Sequence, residues 1–140
     1  MLASAASPTF SQSRGGPFAS QTAYVFGSAA QAADYWRRVV TRRLESCVAS
    51  SLIDGSGNGV TFTVDRKQLL PLPRIGDRDA AYRVVGTATV PDQRVGVYLD
   101  MLVVGRGPAL SAISFTSFSV PPTRSLELRL ARVVARRLPG

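Results

Sequence analysis

Two aspartates stand two apart in Gly76-Asp77-Arg78-Asp79, with Arg74, Arg78 and Arg83 close by. Carboxylates at that spacing could hold a metal ion or divide acid and base roles. The interleaved arginines point instead to ion pairing that orders a loop. Asp100 is more unusual, because it interrupts the apolar run Val97-Tyr98-Leu99-Asp100-Met101-Leu102-Val103-Val104. Alternation along a strand puts Tyr98, Asp100, Leu102 and Val104 on one side. A charge there must be paired or exposed. An arginine from a helix or a neighbouring strand is the expected partner; a catalytic carboxylate, working with Tyr98, is the alternative. Cys47 falls on an apolar helical stripe and reads as a buried small hydrophobe, with a reactive thiol as the alternative. Trp36 reads as core.

The remaining chemistry is bounded by what is missing. The chain contains no histidine and one cysteine. This excludes a Ser-His-Asp triad, a Cys-His dyad, every Cys/His zinc site and an internal disulfide. Asp54-Gly55-Ser56-Gly57-Asn58-Gly59 has glycine at alternate positions but leads into a strand, whereas a phosphate loop needs a helix beyond it. Arg106-Gly107-Pro108 reads as an ordinary β-turn. Neither a metal nor a cofactor follows from these residues, and no catalytic set does.

Charge is the strongest compositional signal. Lysine and arginine number 17 against 9 acidic residues, a net charge of +8, and every basic residue except Lys67 is arginine. Such a field attracts phosphates, anionic lipids and acidic polymers; a chain rich in Arg, Ala, Gly, Pro and Val also acquires that charge as a compositional inheritance. The arginines cluster on two helices: Arg37, Arg38, Arg42 and Arg43 on the first, and Arg124, Arg129, Arg132, Arg136 and Arg137 on the second. Of these, Arg37, Arg38, Arg42, Arg129, Arg132 and Arg136 are the candidate ligand- or anion-binding residues. If both helices pack on the same sheet face, the two clusters join into one basic surface.

The elements that must position these groups are legible as patterns. At 140 residues the chain is one domain's length and can bury roughly two-thirds of its unfolded surface. Residues 1–19 read as a frayed segment with an edge strand, and residues 20–138 as a single domain. Short strands are expected over Pro8–Ser13 and Ser20–Phe26. Ser28 and Gln31 have capping-box spacing. Behind them Ala29, Ala32, Ala33, Trp36, Val39, Val40, Leu44, Cys47, Val48, Ser51 and Leu52 mark one continuous amphipathic helix of about six turns. Val60, Phe62 and Val64 alternate as a strand. Leu69-Leu70-Pro71-Leu72-Pro73 has too many prolines for a central strand and reads as an extended segment covering an edge. Strands follow over Ala80–Val90, Arg94–Gly105 and Ala109–Ser119, joined by short antiparallel connections. A helix from Arg124 to Leu138 closes the chain, with Leu126, Leu130, Val133, Val134 and Leu138 inward. The order ββ-α-β-βββ-α makes an α+β fold: an antiparallel sheet of five to six strands packed with two amphipathic helices.

Particular stretches carry a family resemblance. Tyr24-Val25-Phe26-Gly27-Ser28-Ala29-Ala30-Gln31-Ala32 leads into the helix that reaches Cys47. Leu70-Pro71-Leu72-Pro73-Arg74-Ile75-Gly76-Asp77, Ala81-Tyr82-Arg83 and Asp100-Met101-Leu102-Val103-Val104-Gly105-Arg106-Gly107 follow. Over residues 20 to 138 this resembles the secreted sensor-like and lipoprotein domains of actinobacteria, including the extracellular domain of PknH-type kinases and LpqN-type lipoproteins. The resemblance implies a PsbP-like sandwich or a close α+β relative that binds ligands or cell-wall components without catalysis.

The leading expectation is therefore a non-catalytic, exported binding or sensor-like domain for a small apolar or anionic cell-envelope ligand. It would sit in the extracellular space or the envelope after loss of a leader, with a cytoplasmic location as the alternative. Its partners would be an anionic lipid, a cell-wall polymer or a protein. A nucleic-acid-binding protein using the arginine-rich helix faces is the second reading, and a small α+β enzyme is the third. No apolar run is long enough to span a membrane.

Overall fold

A computed structural model describes all residues, Met1–Gly140. Seven strands and three α-helices follow in the order β1 (Ala3–Ala6), β2 (Phe10–Ser11), β3 (Phe18–Val25), α1 (Ala29–Tyr35), α2 (Leu44–Asp54), β4 (Thr61–Leu69), β5 (Arg78–Val90), β6 (Gln93–Arg106), β7 (Ala109–Phe118) and α3 (Arg124–Arg137). All strands belong to one antiparallel sheet ordered β1-β3-β7-β6-β5-β4, with β2 also paired to β3. The α+β class and its antiparallel sheet are those expected from the sequence, with one more strand and one more helix.

The topology follows from connection lengths. β4 to β7 form a meander, with an eight-residue segment after β4 and two-residue turns after β5 and β6, and the helical connection from β3 carries the chain to the far edge at β4. The meander then returns until β7 lies beside β3, where Phe18 pairs with Thr116 and Val25 with Ala109. Residues 1–19, expected to fray with an edge strand, contribute β1 and β2, and Ala3 to Ala6 pair with β3. No helix is long and apolar enough to cross a membrane.

Both faces of the sheet are covered. Alternation sends Leu102, Val104, Ile113 and Phe115 to one face, where they pack with Ala131 and Ala135 of α3 and with Leu138 just beyond it. The opposite side chains, among them Tyr82, Val103 and Leu110, pack under Phe26, Ala32, Trp36 and Val40, and Val84, Ala88 and Val97 pack under Val48, Ala49 and Leu52 of α2. Each large side chain so buried contributes about 1.5–3 kcal/mol. The chain is thus three layers, with α1 and α2 on one side and α3 on the other.

The first helix is not continuous. Ser28 accepts from the Gln31 amide at 3.2 Å, and Gln31 accepts from the Gly27 amide at 2.9 Å, so the expected cap forms. After Tyr35 the backbone widens into a π-helical turn over Trp36–Val40, closed by the Thr41 amide on the Trp36 carbonyl at 3.1 Å. A π turn inserts a residue into the helical period and rotates everything beyond it. The buried positions of α2 become Val48, Ala49 and Leu52, and Cys47 is exposed. The expectation of a buried Cys47 is corrected by this change of phase.

α3 is also rotated from its expected phase. Its most buried side chains are Glu127, Ala131 and Ala135, while Leu126, Leu130 and Val134 pack at the flanks. Small residues on the central line let the helix approach the sheet closely, and leucines on either side fill the angle.

Candidate functional site

Four charged residues meet between α3 and the sheet. Arg83 on β5 and Asp100 on β6 are directly opposite in the ladder. Arg83 donates through Nε to Oδ1 at 2.7 Å and through Nη2 to Oδ2 at 2.6 Å. This is the partner expected for Asp100, in a bidentate geometry that only arginine provides. The guanidinium also lies over the Tyr98 ring, 5.9 Å from its centroid. Glu127, in the first turn of α3, points at the same place and is bonded by Arg124, whose other Nη reaches the Pro71 carbonyl. Asp100 and Glu127 are both 0% exposed.

Electrostatics within this group are uneven. Burial raises the Glu127 carboxyl to about 8; the neighbouring Asp100 carboxylate adds to the rise, and Arg124 opposes it. The hydrogen bond to Asp100 raises Arg83 further. Glu127 Oε1 has no hydrogen-bond partner in the chain, and a buried oxygen left so is less costly on a neutral carboxyl than on a carboxylate. Glu127 escaped the sequence reading because a charge on an amphipathic helix reads as outward. The signal that marks it is its four-residue spacing from Ala131 and Ala135. Enclosed in this way, the group fastens α3 to the sheet, and a ligand in solvent cannot touch either carboxyl.

Asp77 and Asp79 also hold backbone, though not through ion pairs. Asp79 accepts from the Ile75 amide at 2.8 Å and the Gly76 amide at 2.9 Å. Asp77 accepts from the Gly107 amide at 2.8 Å, and Arg78 donates to the Gly107 carbonyl at 2.7 Å. Loop ordering is confirmed, with backbone amides as the partners in place of the expected arginines. No grouping of three or more Asp, Glu or Cys side chains is placed to hold a metal ion.

The segment Leu70 to Asp77 forms a strap along β5 where β4 has ended. Leu70 donates to the Ala81 carbonyl at 2.8 Å, and Leu70, Leu72 and Ile75 pack into the core under α3. Between the strap and the π turn lies a cleft of about 520 Å³, lined by Trp36, Leu69, Leu72, Pro73, Arg74 and Tyr82 among others. The Tyr82 hydroxyl, raised by burial and by Glu45, donates to the Val40 carbonyl at 3.0 Å and so ties the sheet to the π turn. Trp36 is core, as read, and also reaches the cleft wall. π turns recur at functional sites because they displace side chains from the helical period.

The arginine clusters do not join. Arg37, Arg38 and Arg42 lie on the α1/α2 side, and Arg129, Arg132 and Arg136 on α3, across the sheet. Arg37 and Arg38 pair with Asp34 on the exposed face of α1. Arg132 and Arg136, by contrast, meet Arg74 of the strap and Arg106 of the β6–β7 turn around a cavity of about 260 Å³. Arg106 sits in the β-turn expected there, with Gly107 at φ 51°. Comparison of the chain with protein-family models and with curated proteins finds no match.

Proposed function

We propose that this chain is a non-catalytic binding or sensor-like domain, exported to the cell envelope, that takes a small apolar or anionic ligand. The observation that carries this reading is the cleft between the strap and the π turn: most of its lining is aromatic and aliphatic, and its polar residues are Thr41, Arg74, Asp77 and Asp79. A concave, mostly apolar surface with a few polar groups is the usual form of a small-molecule site. The carboxylates that could act as acid or base are engaged in holding the fold. The nucleic-acid reading draws less support, because the basic helices face opposite ways.

Trp36 is the only tryptophan in the chain and lines the cleft, so its fluorescence reports occupancy. Oleate, an apolar chain with one carboxylate, is expected to change the emission saturably at one site. Leu69→Glu, at an exposed cleft position, should weaken that binding at least tenfold. Emission and melting temperature that do not respond to oleate would overturn the reading.

A further inference from the structure

Five of the sixteen arginines have a partner in the chain. Arg37 and Arg38 have Asp34, Arg83 has Asp100, Arg124 has Glu127, and Arg78 has the Gly107 carbonyl. Arg74, Arg106, Arg132 and Arg136 come from three separate segments and surround one cavity with Ile75 and Ala135. None of these four makes an ion pair or donates a side-chain hydrogen bond within the chain. Like charges repel, so gathering four guanidinium groups without a counter-charge works against the fold unless an anion completes the set.

The backbone that carries two of them is fixed in advance. Asp79 holds the Ile75 and Gly76 amides, immediately after Arg74. Asp77 and Arg78 hold both ends of the Gly107 peptide unit, immediately after Arg106. Arg132 and Arg136 are one turn apart on α3, near its C-terminal end, where the helix dipole favours cations. Arg106 also runs beside the Gly140 backbone. The cavity, about 260 Å³, is large enough for a phosphoryl group.

We propose that Arg74, Arg106, Arg132 and Arg136 form a binding site for a phosphoryl group, carried by a free phosphate or pyrophosphate or by a phosphomonoester lipid headgroup. Guanidinium groups meet phosphate oxygens in paired hydrogen bonds, and apolar Ile75 and Ala135 at the wall strengthen the attraction. The site deepens the binding reading above by naming an anion; it shares Arg74 with the apolar cleft, while Arg106, Arg132 and Arg136 line this cavity alone.

The test measures binding of pyrophosphate by calorimetry, and of vesicles of phosphatidic acid in phosphatidylcholine by sedimentation, at fixed ionic strength. Binding in either arm is expected to weaken at least tenfold in Arg132→Ala/Arg136→Ala and in Arg74→Ala. It should change less than twofold in Arg37→Ala/Arg38→Ala. All these side chains are exposed, and circular dichroism checks each fold. Loss from the pyrophosphate arm identifies a soluble ligand; loss from the vesicle arm alone identifies a headgroup. Absence of binding in both arms overturns the site, as does equal weakening by the Arg37/Arg38 variant. Short duplex DNA binding more tightly than pyrophosphate, and losing affinity equally in both arginine pairs, also overturns it in favour of diffuse attraction to polyanions. Oleate binding monitored at Trp36 is read separately, so failure here leaves the cleft reading standing, and failure there leaves this one.

Discussion

Glu127 and Asp100 bring two carboxyl groups together beneath α3, both wholly out of water, with Arg83 clasping one and Arg124 the other. Two adjacent buried carboxylates cannot both carry charge cheaply, so the pair retains a proton that either acid would release in solvent.

A dependence of stability on pH follows. The folded protein holds the Glu127 proton up to about pH 8, whereas the unfolded chain releases it near the ordinary value of 4.5. Between those values the native state binds more protons than the unfolded state. This contribution is therefore complete below about pH 4.5 and falls as pH rises towards 8, by at most about 1.4 kcal/mol per unit. Urea denaturation across pH 5 to 8 should show that slope in the wild type. Glu127→Gln keeps a neutral group facing Asp100 and should flatten it; an unchanged slope would place the titrating group elsewhere.

Removing one member of the Arg83–Asp100 pair should be costly. Asp100→Ala leaves a guanidinium only 13% exposed without its carboxylate, and loss of a buried partner typically costs about 3–5 kcal/mol. Arg83→Met combined with Asp100→Leu should recover most of that loss, since neither desolvated charge remains. Urea midpoints at constant m value decide the point, and a double variant no more stable than Asp100→Ala would contradict it.

Packing between α2 and the sheet is tested at a glycine. A methyl group on Gly86 would meet the Thr63 carbonyl at 2.5 Å and Leu52 Cδ2 at 2.6 Å. Backbone cannot yield as a side chain does, so Gly86→Ala should lose about 1–3 kcal/mol. Gly96→Ala is the control, because the nearest atom, on Tyr98, is 3.8 Å away. Equal thermal shifts for the two variants would refute the close approach.

Cys47 provides a chemical check on the π turn. Exposed on α2, it should react with an aromatic disulfide reagent in native buffer at a rate close to that in denaturant. Protection until unfolding would restore the uninterrupted helix, which places Cys47 inward.

The sequence was informative wherever one period held over a long run. β5, β6 and β7 alternate cleanly, and the partner of Asp100 followed from asking what a charge in such a strand requires. Three features were hidden for physical reasons. The π turn changes the helical phase without a proline or glycine to mark it, which moved Cys47 outward. Glu127 is buried at a position where helix patterns put charge in water. The meeting of Arg132 and Arg136 with Arg74 and Arg106 depends on which sheet face α3 covers, a choice that no local pattern records. The same choice separates Arg37, Arg38 and Arg42 from the arginines of α3.

The pairing of β3 with β7 also sets the order in which this chain can fold. The two strands lie near opposite ends of the sequence, and β7 is the only strand that joins β1, β2 and β3 to the meander. As the chain leaves the ribosome, α1 and α2 emerge before any strand of their floor except β3, and their apolar stripes wait for β4 to β7. Closing so long a loop before its contacts form slows folding relative to proteins built from local contacts. Substitutions in β7 facing β3 should therefore act on the folding rate more than their distance from α1 suggests, and the early half of the chain is where chaperone binding during synthesis is expected.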